Sequence, residues 1–201
     1  MKRRALITLA VLAPFAARAD VPAPAGPIAA FNAGLLAVMH AGQSTPFASR
    51  AQTLQPLVQQ AFDLPLILQN SVGLRWASFS PAQQRDLLEA FTQFTVATWV
   101  ANFDSFDGQA FQISPDMRQI GADEVVQTRL VKTTGDSTRL DYVMRNIGGA
   151  WKAIDILVDG SISRVAVQRS DFRSLLRSND PAPLIAHLRE KAASLAAGSK
   201  S

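Results

Sequence analysis

Residues 139–160, RLDYVMRNIGGAWKAIDILVDG, decide the fold. Two runs rich in β-branched and aromatic residues, Arg139 to Ile147 and Ala150 to Val158, flank Gly148-Gly149. Paired glycines supply the positive φ that a tight hairpin needs, and Asp159-Gly160 turns the chain again. Leu140, Tyr142 and Met144 fall on one face of the first run, against Asp141, Val143 and Arg145 on the other. In the second run Trp151, Ala153 and Leu157 oppose Lys152, Ile154 and Ile156, so both faces are largely apolar. A strand of that kind belongs to a sheet covered twice, or to one that lines an interior.

Working outward toward the N-terminus, two more β-like runs precede the hairpin, Ala110 to Ser114 and Val125 to Thr133, with Thr134-Gly135-Asp136 as a turn. Before these the pattern is helical. Ile28, Phe31, Leu35, Val38 and Met39 recur at three and four residues until Gly42; a second helix is predicted from Phe47 to Phe62, and a third, capped by Asp63-Leu64-Pro65, to Val72. Ser80-Pro81-Ala82-Gln83 is a capping box with proline at the first helical position, and opens a long helix to about Phe103. Its first half carries one stripe, Leu87, Phe91 and Phe94; its second, TVATWVANF from Thr95, bears no charge on any side, with Val96, Val100 and Phe103 opposite Phe94. A helix apolar all round is either sandwiched between layers or faces a second apolar space such as a cavity.

Beyond Asp159-Gly160, Ser161 or Ser163 caps a helix to about Ser178, and a last helix runs from Asp180-Pro181 to about Leu195. Helices, then an antiparallel meander of four strands, then helices make an α+β fold. One domain, residues 28–196, is expected.

The N-terminus reads as an export signal. Met1-Lys2-Arg3-Arg4 is basic, Ala5 to Ala16 is apolar, and Ala17-Arg18-Ala19 is a small-x-small cleavage site before Asp20. Residues 1–19 are therefore expected to be removed after Ala19, and residues 20–27, DVPAPAGP, to form a disordered leader. Residues 1–19 hold four of the twenty basic residues and none of the sixteen acids, so the remainder has a formal charge of zero. A nucleic-acid partner, which calls for a concentrated basic face, is not expected. With no cysteine, thiol catalysis, thiolate metal sites and disulfides are excluded.

No catalytic constellation appears. His40 and His187 sit far apart with no zinc-ligand spacing, no Gly-x-Ser-x-Gly elbow occurs, and Asp104-Ser105-Phe106-Asp107-Gly108 lacks most ligands of a calcium loop. Neither enzyme activity, nor a metal, nor a cofactor is expected. Arg169, Arg173 and Arg177 recur every four residues beside the apolar stripe of Val165, Phe172 and Leu176. Arg169, near mid-stripe, either lays its stem on the core or holds a guanidinium at a cavity mouth, where it would meet a phosphate.

Taken together, several segments resemble the MlaC family of periplasmic phospholipid carriers, the toluene-tolerance auxiliary component. They are Phe62-Asp63-Leu64-Pro65-Leu66, Trp76-x-x-Phe79-Ser80-Pro81-Ala82-Gln83-Gln84-Arg85, Gly108 to Ile113, Arg139 to Tyr142, Trp151 to Ile156, Asp159 to Ser163 and Arg169-Ser170-Asp171-Phe172. The runs Leu68 to Trp76 and Thr95 to Asp104 look most like the hopanoid-associated HpnM branch. The resemblance implies a periplasmic carrier whose helices and sheet enclose an apolar lipid cavity; the zero formal charge without residues 1–19 favours a monomer. Its cargo would be phospholipid or a hopanoid-type lipid, passed between an inner-membrane ABC transporter complex and an outer-membrane lipoprotein complex. Phe94, Val96, Val143, Ile154, Ile156, Ile162, Val165 and Phe172 are the expected cavity residues, with Arg169 at the headgroup. The rival readings are a non-catalytic envelope adaptor with a filled core, and a polar solute-binding protein of an ABC transporter.

Overall fold

The structure, a computed structural model, describes residues 23–176 and 180–198. The expected signal peptide and Arg177 lie outside the described residues. Six α-helices and a five-stranded antiparallel sheet follow in the order α1 (Gly26–Ala41), α2 (Phe47–Ala61), α3 (Leu64–Val72), α4 (Pro81–Asn102), β1 (Ala110–Ile120), β2 (Asp123–Val131), β3 (Ser137–Ile147), β4 (Ala150–Val158), β5 (Ile162–Ser163), α5 (Arg164–Arg173) and α6 (Ala182–Ala196). A six-residue 3-10 segment, Gly73–Ser78, joins α3 to α4.

The helix punctuation acts as its chemistry requires. Ser80 accepts from the backbone of Gln83 while the Gln83 side chain accepts from the backbone of Ser80, closing the box at the start of α4. Asp63 caps α3 through the amide of Leu66 at 3.0 Å, and Gly42 and Gly73 end α1 and α3 with positive φ.

The strands lie in sequence order, β1-β2-β3-β4-β5. Gly148 and Gly149, with φ of 60° and 90°, close the β3–β4 hairpin. The expectation of four strands is corrected by β5, whose two residues pair with Leu157 and Val158. So short a strand, made by Asp159 at φ 52° and Gly160 folding the chain back, has no periodicity to betray it. β1 also runs well past Ser114: its pairing with β2 shifts register between Ile113 and Met117, where Pro115 lacks the N–H of a regular ladder.

Residues 23–27 depart from the disordered leader expected there. Ala23–Ala25 form a 3-10 turn, Gly26-Pro27 open α1, and Ala25 is fully buried, because a small side chain lets the turn pack beneath the sheet. At the other end of the domain, α5 stops at Arg173 rather than near Ser178.

The core lies between the helices and one face of the sheet. Phe31 meets Phe62 and Trp99 edge-on at ring-centre distances of 5.0 and 4.9 Å, and Phe62 reaches Tyr142 at 6.0 Å. These contacts tie α1 and α4 to β3, while α6 packs along α4. The sheet's other face holds a smaller cluster, Val125, Val143, Ile154 and Leu157, against Leu66 of α3. Beside it the fully buried Asp141 carboxylate accepts from Nε and Nη2 of Arg139. That hydrogen bond raises the Arg139 pKa above its ordinary value.

Candidate functional site

Between α4, the inner face of the sheet, α3 and α5 lies a cavity of about 410 Å³. That volume falls within the usual range for small-molecule sites, about 300–1,000 Å³. α4 supplies its longest wall, with Phe91, Phe94, Thr95, Thr98 and Asn102 at helical spacing, joined by Trp99 and Phe103. The sheet supplies Leu130, Thr138, Leu140, Ile156 and Val158; Phe62, Leu64 and Ile67 close one side, and Arg164, Val165 and Gln168 of α5 the other.

The charge-free second half of α4 now has its reason. One face lines the cavity, while Val96, Ala97, Val100 and Ala101 are buried on the other sides of the helix, where α2 and α6 pack. Both alternatives open for this helix hold at once: it is sandwiched, and one of its two neighbours is a cavity.

Thr95, Thr98, Asn102, Thr138, Asp155, Arg164 and Gln168 are the polar residues of the lining. Thr98 Oγ1 donates to the Phe94 carbonyl at 2.8 Å, a bond internal to the helix. Thr95 Oγ1 is buried with no hydrogen-bond partner. Asp155, also on the wall, accepts from the amides of Ile156 and Val165 at 2.8 and 3.1 Å and from the Ser163 hydroxyl at 2.5 Å. Ser163 in turn accepts from the Ala166 amide at 3.0 Å. This carboxylate thus anchors the N-terminus of α5, where the helix dipole favours negative charge, and sets the position of Arg164 and Val165 at the cavity. Gln168 is tied to α3 by the Ser71 hydroxyl at 3.0 Å.

Of the nine residues expected to face a ligand, Phe94, Ile156 and Val165 line this cavity together. The other six do not. Val96 is in the core on the far side of α4. Val143 and Ile154 belong to the outer-face cluster: Val143 by plain alternation with Tyr142 and Met144, and Ile154 because the β3–β4 register shifts at Val143/Met144 and leaves it as the extra, unpaired residue of a bulge. Ile162, in β5, is 51% exposed. Phe172 is buried against Phe91, ring centres 6.5 Å apart. Arg169 lies one turn beyond the mouth, where Nε and Nη2 donate to the Asn70 carbonyl at 2.9 and 2.6 Å; Arg164 is the arginine on the cavity.

The MlaC protein family model matches residues 30–190, most of the chain. The chain belongs to the MlaC family. Among solved structures, this MlaC-family chain is similar to the phospholipid-binding protein from Ralstonia solanacearum, whose structure holds a phospholipid. The match has a TM-score of 0.70 at 21% identity and covers 88% of this chain and 99% of that one. At that identity the likeness establishes a shared fold, whose helices and sheet carry the cavity of this MlaC-family member.

Proposed function

We propose that the protein is a periplasmic lipid carrier, a binding protein and not a catalyst, which shelters acyl chains of a phospholipid in the cavity behind α4. The observation that carries this reading is an interior space walled by Phe62, Phe91, Phe94, Trp99, Phe103, Leu140 and Ile156 in a chain of the MlaC family. The phospholipid held by the Ralstonia solanacearum protein supports the same cargo. Each methylene transferred from water to such a wall contributes about 0.8 kcal/mol, enough over an acyl chain to keep a lipid in solution between membranes. In this reading the signal at residues 1–19 exports the chain. The carrier, a monomer, then moves lipid between an inner-membrane ABC transporter complex and an outer-membrane lipoprotein complex.

A hopanoid-type cargo is the second reading. The run Thr95 to Asp104 that resembles the HpnM branch supplies Thr95, Thr98, Trp99, Asn102 and Phe103 to the cavity, and flat aromatic rings suit a rigid polycyclic ligand.

Native mass spectrometry of the protein purified from periplasm, followed by organic extraction, tests both. Phospholipid bound in stoichiometric amount is the expected result, and a triterpenoid in its place selects the second reading. A lipid-free mass that persists after mixing with vesicles overturns the carrier reading and favours an adaptor with a filled core.

A further inference from the structure

A second concavity, outside the lipid cavity, is built on the joint between α3 and α4. Residues 69–77 form one side, and Arg169, Arg173 and Leu176 the other. Three features set it apart from the rest of the surface. Leu74, on the 3-10 segment, is 100% exposed, against 51% for Ile162, the next most exposed large apolar side chain among the described residues. Arg75, Arg169 and Arg173 all line the groove, and among the described residues no carboxylate does. Such local excess is notable in a chain whose formal charge without residues 1–19 is zero. Trp76 adds an amphipathic ring beside Leu74.

We propose that this groove docks the protein on an anionic bilayer surface, with Leu74 entering the acyl boundary and Arg169 and Arg173 meeting lipid phosphates. An exposed leucine beside a tryptophan and several arginines is the chemistry of a membrane interface, where the apolar wedge is buried and the cations stay at headgroup depth. An acidic protein surface would use the arginines but gives no reason for a fully exposed leucine at the tip of a short turn. Arginine rather than lysine suits phosphate, because its planar fork offers paired N–H donors. The guanidinium of Arg169 has five such donors, so its bond to the Asn70 carbonyl does not exhaust it, and that bond holds it against α3 in a fixed place.

Position gives the groove a role in the carrier reading, on which this part of the argument rests. α3 and α5 serve both spaces: Ile67, Val165 and Gln168 line the cavity, and the turns that follow line the groove. The Ser71–Gln168 hydrogen bond joins a groove residue to a cavity residue. A bilayer held at the groove therefore lies against the two helices that close one side of the cavity.

Flotation of the full chain with vesicles of neutral phosphatidylcholine, with and without about 30% phosphatidylglycerol, tests the proposal. Wild-type protein is expected to bind the anionic vesicles at least about ten-fold more tightly, with the difference collapsing between about 50 and 500 mM salt. Leu74→Asp and Arg173→Glu, both at exposed positions outside the cavity, are each expected to lose most of that binding while keeping wild-type lipid content by mass spectrometry. Equal binding to both vesicle types, or anionic binding unchanged in both variants, overturns the proposal. Retention of soluble polyglutamate without vesicle binding also overturns it, in favour of an acidic protein partner. Since lipid content is read separately, a chain that proves lipid-free yet floats with anionic vesicles defeats the carrier function and leaves the docking surface standing.

Discussion

Tyr142 is the only tyrosine of the chain, and it is fully buried with no hydrogen-bond partner for its hydroxyl. Burial disfavours the phenolate and raises the pKa well above the ordinary tyrosine value. Well below pH 10 the phenol is neutral in both folded and unfolded chains and contributes no pH dependence. As pH rises past the unfolded value of about 10, the unfolded chain sheds a proton that the folded one retains, so stability falls. Tyr142→Phe removes both the orphan hydroxyl and this slope. We expect it to be neutral or stabilising by up to about 1 kcal/mol at pH 7 and to flatten the alkaline loss, measured as urea midpoints at neutral pH and above pH 10. A variant that loses stability at pH 7 would show that the hydroxyl has a partner in solution.

Among the elements, α4 shows how much of the site was legible in the sequence. Its start was readable to the residue, because a capping box is local chemistry, and the charge-free run of its second half announced two buried sides. Composition says nothing about which side meets packed atoms and which meets space, since leucine, valine and phenylalanine suit either. Phe94 and Val96 read alike as cavity residues in the sequence, and only the first lies there. In β4 the obstacle was a single inserted residue: a strict period of two places Ile154 and Ile156 alike, and the bulge at Ile154 sends them to different clusters. Arg164 was missed for a different reason, since nothing in an exposed arginine at a helix start distinguishes it until Asp155, nine residues earlier, is seen to anchor that start. The two sides of α4 give a paired prediction. Val100→Ala, in the packed side, should cost about 2 kcal/mol in urea unfolding and leave lipid content unchanged. Phe94→Arg, in the cavity wall, should sharply reduce co-purifying lipid at a smaller stability loss, with the guanidinium reaching the mouth as its stem stays on the wall. The same lipid content in both variants would remove α4 from the binding wall.

For the whole molecule, folding and cargo are a single equilibrium. With no cysteine there is no disulfide to hold the fold, so packing sets its stability. A part of the interior against α4 is filled only when something occupies the cavity. A ligand that binds the folded chain alone stabilises it by RT ln(1 + [L]/Kd), about 2.7 kcal/mol at a hundred-fold excess over Kd. For a domain of this size each kcal/mol moves the melting temperature by about 2–4 °C, so protein stripped of lipid should melt roughly 5–11 °C below the loaded form. The difference should shrink as the cavity is closed by substitution. In Phe94→Arg, stripped and lipid-exposed samples should melt together, because the state that gained from the ligand no longer admits it. Calorimetry of stripped and reloaded wild type beside that variant decides it. A loaded wild type that melts with its stripped form would mean that lipid binds folded and unfolded chains alike, at the surface, and that the space behind α4 is not where the cargo rides.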